Sequence, residues 1–145
     1  MEHLTSLIRD VPDFPESGVV FKDITPVLAE GEAFGDLVDA LARPFAEAQV
    51  AKVAGIEARG FTLATPVAER LGAGFIPIRK PGKLPWETVR EDYSLEYGAD
   101  ALEVHTDAAH EGERVLVVDD VIAAVPPVAI TSSTCLLYTS PSPRD

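Results

Sequence analysis

The sequence is poor in the residues that most simply announce a chemistry. Its one cysteine, Cys135, can form neither an internal disulfide nor a thiolate metal site, which leaves redox and structural zinc chemistry almost no foothold. Basic residues are scarce, 12 against 24 acidic ones, for a net charge of −12. A body of that charge repels polyanions unless its cations are gathered in one place, so nucleic acid is not an expected partner. No run of 18 or more apolar residues is available to cross a membrane, and the opening MEHLTSLIRD has neither a basic n-region nor an apolar h-region. A membrane is therefore not expected as a partner, and the expected address is cytoplasmic. What remains is ordinary: 145 residues, 46% apolar and 25% charged, the make-up of one globular domain with its own core.

The apolar pattern predicts an α/β fold. Leu4, Leu7, Ile8 and Val11 fall at helical spacing before the proline-rich PDFPESG passes the chain to an irregular arm. From Glu32, Phe34, Leu37, Val38, Leu41, Ala42 and Phe45 line one face of a helix, and Pro44 is expected to kink or stop it. AKVAGI, GFTLATPVAERLG and GFIPIR then read as strand, helix and strand. ALEVHT alternates over residues 101 to 106, and RVLVVDD, from residue 114, opens with a continuous apolar run, the mark of a strand covered on both faces of a parallel sheet. The last 22 residues change character, holding 2 charged residues where the preceding 123 hold 34.

In an open parallel sheet, ligands bind at the carboxyl ends of the strands. Three such ends stand out. Asp119 and Asp120 follow the apolar run VLVV, and two adjacent carboxylates there need a cationic or hydroxyl-bearing partner, such as a sugar diol or a metal; a solvated pair capping the next helix is the alternative. Arg59 and Gly60 sit at a strand-to-helix turn, where a guanidinium and backbone N–H groups suit an anion, although a surface arginine beside a turn glycine is common. Residues 79 to 90, RKPGKLPWETVR, hold four cations and one acid. Chance would place about one cation in a window of that length, so the segment reads as a loop that grips a polyphosphate, against the alternative of a solvated or salt-bridged basic loop. EDYSLEYG offers Glu96 and Tyr97 on a segment able to close over a ligand. A glutamate of ordinary pKa, about 4.3, serves there as acceptor or proton shuttle only if closure changes its surroundings. Trp86 reads as a packing residue, and His3, His105 and His110 as ordinary surface or strand histidines.

Taken in order, PDFPESGVVFKDITPVL, VAGIEARGF, GAGFIPIRKPGKLPWETVREDYSLEYG, ALEVHTDA and GERVLVVDDVIA closely resemble the adenine phosphoribosyltransferase family, from about Leu7 to Ala123. The resemblance implies a type I phosphoribosyltransferase-like parallel sheet flanked by helices. It also implies conversion of adenine and phosphoribosyl pyrophosphate to AMP and pyrophosphate, with Mg2+ held mainly through the substrate's pyrophosphate and ribose hydroxyls. By the same resemblance, Val20, Phe21 and Lys22 form the adenine pocket and Arg59 binds pyrophosphate. Arg79, Lys80 and Lys83 make the basic pyrophosphate loop, one of whose cations serves the neighbouring subunit of a homodimer. Glu96 and Tyr97 belong to the mobile catalytic loop, and Asp119 and Asp120 hold the ribose hydroxyls.

The sequence also departs from the family pattern. There the acidic pair leads into an Ala-Thr-Gly-Gly-Thr turn that cradles the 5′-phosphate. Here Ala123 is kept, but Ala124, Val125, Pro126 and Pro127 stand in place of Thr-Gly-Gly-Thr, which removes both hydroxyls, both glycines and two N–H donors. The expected organisation is an N-terminal helix and base-binding arm over 1–30, a core over 31–123 that is incomplete at its C-terminus, and a non-native tail over 124–145. Such a chain is expected to be impaired in catalysis and to leave sheet edges unpaired. Two alternatives stand beside this one: a non-catalytic module that binds a purine or phosphoribosyl pyrophosphate, and a transferase for another base. Retention of Glu96, Arg59 and the basic loop argues against the first, and the VVFKDITPVL arm and SLEYG segment favour adenine over other bases.

Overall fold

The computed structural model describes residues 2–95, 98–120 and 135–139. Four parallel strands form the central sheet in the order β4-β3-β7-β8: β3 (Val50–Ile56), β4 (Gly74–Ile78), β7 (Glu113–Val118) and β8 (Cys135–Thr139). Val53 of β3 faces a cluster with Leu116 and Val118 of β7, Val38 of helix α3 (Gly31–Ala42) and Leu63, Ala64 and Val67 of helix α4 (Arg59–Leu71). Its neighbour Ala54 faces the opposite cluster, with Ile76, Ile78, Val115 and Leu102. The period-two alternation of a strand thus builds a core on each face. Among the described residues, helices cover one face only; the other is covered from strand β6 (Gly98–His105), which pairs with β5 (Thr88–Leu95) in an antiparallel hairpin.

The helix expected from Glu32 is α3, and Phe34, Leu37, Leu41 and Phe45 all pack on its cluster. It ends at Ala42, with Pro44 in a 3-10 turn over Arg43–Phe45. Gly72, at φ 67°, closes α4 in the left-handed conformation that costs glycine least.

Three expectations are corrected. The first helix stops at Leu7 (α1, Glu2–Leu7), and Val11 lies in β1 (Arg9–Pro12), because a residue before proline is pushed towards extended conformations. The arm is ordered rather than irregular: β1 pairs antiparallel with β2 (Val20–Asp23), and Asp13 Oδ1 accepts the Gly18 N–H at 2.9 Å. Residues 88 to 95, read as loop and closing segment, form β5, since Thr88 and Val89 find partners in His105 and Val104. Within the tail read as non-native, Cys135–Thr139 lies parallel to β7 as β8, so that among the described residues the sheet ends in β4 and β8. Ala123 to Pro127 and the remaining tail positions lie outside the described residues.

The helix α4 approaches β3 closely. A Cβ on Gly55 would lie 2.7 Å from the Ala64 Cβ and 3.0 Å from the Gly60 carbonyl oxygen, neither of which can swing aside. Gly55→Ala is expected to destabilise the chain by about 1–3 kcal/mol, the usual cost of overpacking. Urea unfolding checks this, and a midpoint equal to that of the unsubstituted chain would show that the packing relaxes freely.

Candidate active site

Because β4, β3 and β7 run parallel and adjacent, their carboxyl ends share one edge of the sheet. Glu57 and Arg59 follow β3, Arg79 and Lys80 follow β4, and Asp119 and Asp120 follow β7. Gly60, buried at the start of α4, sets the spacing: a Cβ there would lie 3.3 Å from Asp119 Oδ1 and from the Val118 carbonyl oxygen. The absence of that Cβ lets the first turn of α4 rest on the end of β7.

Arg59 joins three elements. Its Nε lies 3.5 Å from Asp120 Oδ2, and its guanidinium sits over the Phe21 ring of β2, 5.1 Å from the centroid. Phe21 in turn meets Phe14 edge-on at 5.3 Å. The structure therefore brings Phe21, Arg59, Asp119 and Asp120 together. Val20 and Lys22 fall on the opposite face of β2 from Phe21, as the alternation along the strand requires: Val20 is exposed, and the Lys22 side chain pairs with Asp10 at 2.5 Å.

Asp120 is the desolvated member of its pair, 8% exposed at the side chain while Arg59 is 58% exposed. Burial pushes its carboxyl above the usual aspartate range, and the neighbouring Asp119 charge adds to this, while Arg59 pulls the other way. Asp119 Oδ1 accepts the backbone N–H of Asp120 at 2.8 Å, which orients the Asp119 carboxylate against the main chain.

Two cations of the basic loop, Arg79 and Lys80, are already held. Glu57 accepts the Lys80 N–H through Oε1 and lies 3.5 Å from Arg79 Nη2 through Oε2; the first contact chiefly holds its carboxyl below the usual glutamate range. Lys80 Nζ pairs with Asp100 of β6 at 3.0 Å. Lys83 is exposed, and no ion pair of it occurs among the described residues. The Arg79 Nε is buried with no hydrogen-bond partner among the described residues. Trp86, expected to pack, is 65% exposed, because the loop is held through its backbone and not its ring: the Trp86 N–H donates to His105 Nε2 at 3.3 Å. Glu96 and Tyr97 lie outside the described residues.

Sequence reasoning missed Glu57, Asp100 and Glu103. Glu57 directly follows a strand on the ligand edge, the same signal that marked Arg59. The other two lie on β6: Glu103 falls on the face that the alternation of ALEVHT marks as polar, and Asp100, just before that segment, has no such signal.

A parallel sheet that presents an arginine, a carboxylate pair and a basic loop on the carboxyl ends of neighbouring strands has the architecture of a type I phosphoribosyltransferase. Solved structures agree. The chain superimposes on adenine phosphoribosyltransferase from Rhodothermus marinus with a TM-score of 0.78 and 54% identity, over 85% of this chain and 70% of that one. The Saccharomyces cerevisiae enzyme, crystallised with an imino-altritol bisphosphate and adenine, matches with a TM-score of 0.79 and 37% identity, over 85% and 72%. Among curated sequences, the adenine phosphoribosyltransferase of an Anaeromyxobacter species is 59% identical over 123 residues, 85% of this chain and 70% of that protein. No protein-family model matches the chain. It spans 65–72% of the length of its curated relatives. The chain belongs to the adenine phosphoribosyltransferase family.

The raised pKa of Asp120 has a signed consequence. An acid whose folded pKa exceeds its unfolded value of about 3.9 costs stability once pH rises above that value, because the folded state must then hold an unwelcome charge. Asp120→Asn is expected to raise Tm at pH 7, with the gain vanishing below about pH 3.5. Thermal melts across that range check it, and a lower Tm at pH 7 would mean that the Arg59 pairing outweighs desolvation.

Proposed function

We propose that this edge transfers a phosphoribosyl group from phosphoribosyl pyrophosphate to adenine, giving AMP and pyrophosphate in purine salvage. The observation that carries the reading is Arg59, which links the aromatic arm to the acidic pair. In this reading residues 1–30 supply the base-binding arm and 31–123 the core.

Adenine stacks on Phe21 beneath the Arg59 guanidinium, with backbone groups of Val20, Phe21 and Lys22 reading its edge. Asp119 and Asp120 accept the ribose hydroxyls, an exchange that gives the desolvated Asp120 new donors. The sugar carbon passes through an oxocarbenium-like state as pyrophosphate departs, and Arg59, Arg79, Lys80 and Lys83 neutralise the departing charge. The unpartnered Arg79 Nε suits a phosphate oxygen. Glu96 and Tyr97, on closing, exclude water that would hydrolyse the activated sugar.

Among the described residues no group of three or more His, Cys, Asp or Glu is placed to hold a metal ion. Asp119 and Asp120 would face the ribose hydroxyls of a substrate that carries Mg2+ mainly on its own phosphates, and the ion would supply charge neutralisation there. Lys83, exposed and outside the ion pairs of the loop, suits the role of the cation offered to a second subunit in a homodimer. No helix of the described residues is long and apolar enough to cross a membrane, and we place the reaction in the cytoplasm.

The Ala124–Pro127 departure favours a second reading, a purine- or phosphoribosyl-pyrophosphate-binding module without catalysis, because two prolines cannot donate the N–H groups that a 5′-phosphate needs. Conversion of radiolabelled adenine to AMP separates the two. Weak turnover by the full chain is expected, rising at least about tenfold when Ala124→Thr, Val125→Gly, Pro126→Gly and Pro127→Thr are made together. Arg59→Ala is expected to cut kcat/KM by about 10- to 100-fold, the worth of a charge-assisted contact. No AMP from the restored chain would overturn the catalytic reading.

A further inference from the structure

We infer that Glu103 is a positioning residue for pyrophosphate, acting through the backbone of the basic loop; this rests on the reading of Arg79, Lys80 and Lys83 as pyrophosphate ligands. Strand β6 has two faces. Leu102 and Val104 point into the cluster with Ile76 and Ile78, and the alternation puts Glu103 and His105 on the opposite face. From there Glu103 reaches the basic loop in three places. Its main chain exchanges both hydrogen bonds with Arg79, at 3.0 and 2.7 Å, where the loop begins. Its Oε1 accepts the Gly82 N–H at 3.0 Å, at the turn, and its Oε2 accepts the Thr88 hydroxyl at 3.2 Å, where the loop becomes β5.

A single side chain thus spans the turn and the far end of the loop that carries Lys80 and Lys83. The turn itself is demanding, since Gly82 holds φ at 82°, a conformation for which L residues pay. Charge does not account for a glutamate here, because a carboxylate beside this loop weakens the field that attracts an anion. Geometry does: a loop held in its binding shape before the ligand arrives loses less freedom on binding. Glu57, which accepts the Lys80 N–H, and His105, which accepts that of Trp86, hold the same loop from β3 and β6.

The test uses the full chain, magnesium pyrophosphate as the titrant, calorimetry for affinity and hydrogen exchange at the Gly82 amide for loop geometry. Glu103→Ala is expected to speed Gly82 exchange and weaken pyrophosphate binding, each by about tenfold or more. Glu103→Gln, which keeps an acceptor and removes the charge, is expected to bind at least as well as the unsubstituted chain. Thr88→Val, which removes only the Oε2 contact, is expected to fall between them, and it serves as the informative variant should Glu103→Ala not fold. Unchanged affinity in Glu103→Ala despite a freely exchanging Gly82, or a loss in Glu103→Gln as large as in Glu103→Ala, would overturn the proposal. An unsubstituted chain with a protected Gly82 and no affinity for pyrophosphate would instead overturn the reading of the loop on which it rests.

Discussion

The close seating of α4 on the ends of β3 and β7 is the constraint on which the other features of the site depend. Two missing Cβ atoms permit it: Gly55 leaves room for Ala64 and the Gly60 carbonyl, and Gly60 leaves room for Asp119 and the Val118 carbonyl. Because the helix begins at Arg59, that seating also delivers a guanidinium to the carboxylates at the end of β7. The same guanidinium then meets the Phe21 ring, so an arm whose strands β1 and β2 pair with each other is brought to the sheet edge. Packing, in other words, decides which charges meet.

Those charges are arranged against the overall composition. In a chain of net charge −12, two cations of the basic loop are drawn to nearby acids: Arg79 to Glu57 and Lys80 to Asp100. Partly exposed pairs of this kind contribute little to stability, and a polyphosphate that brings several negative charges competes well for both cations. Asp120 is in the opposite position, a carboxylate whose environment disfavours its charge. A site of this kind has cations that are easily redirected and an acid that gains from new hydrogen-bond donors, which is what binding a pyrophosphate and a sugar diol requires.

Much of this was legible in the sequence, for identifiable reasons. The apolar runs AKVAGI and RVLVV gave β3 and β7, and the rule that ligands lie at carboxyl ends pointed to Arg59, Asp119 and Asp120. The periodicity that drew α1 out to Val11 failed because a local proline rule and pairing with β2 outweighed a helical spacing of four residues. The loop that was drawn out to Arg90 failed similarly, since Thr88 and Val89 gained strand partners far along the chain. Glu57, Asp100 and Glu103 were passed over because a lone acid in an acidic chain carries no signal of its own; only the positions of the loop amides and cations they hold give them meaning.

The central claim, that the carboxyl edge of β3, β4 and β7 binds base, ribose and pyrophosphate as one site, is tested most directly by an NMR titration. The full chain, labelled at arginine side chains and phenylalanine rings, is titrated with adenine, with magnesium phosphoribosyl pyrophosphate, and with both. The account predicts that adenine moves the Phe21 ring signals, that phosphoribosyl pyrophosphate moves Arg59 and Arg79 Nε, and that Arg59 responds to either ligand. Saturable shifts confined to other residues, or no shift in Phe21, Arg59 or Arg79 with both ligands present, would contradict it.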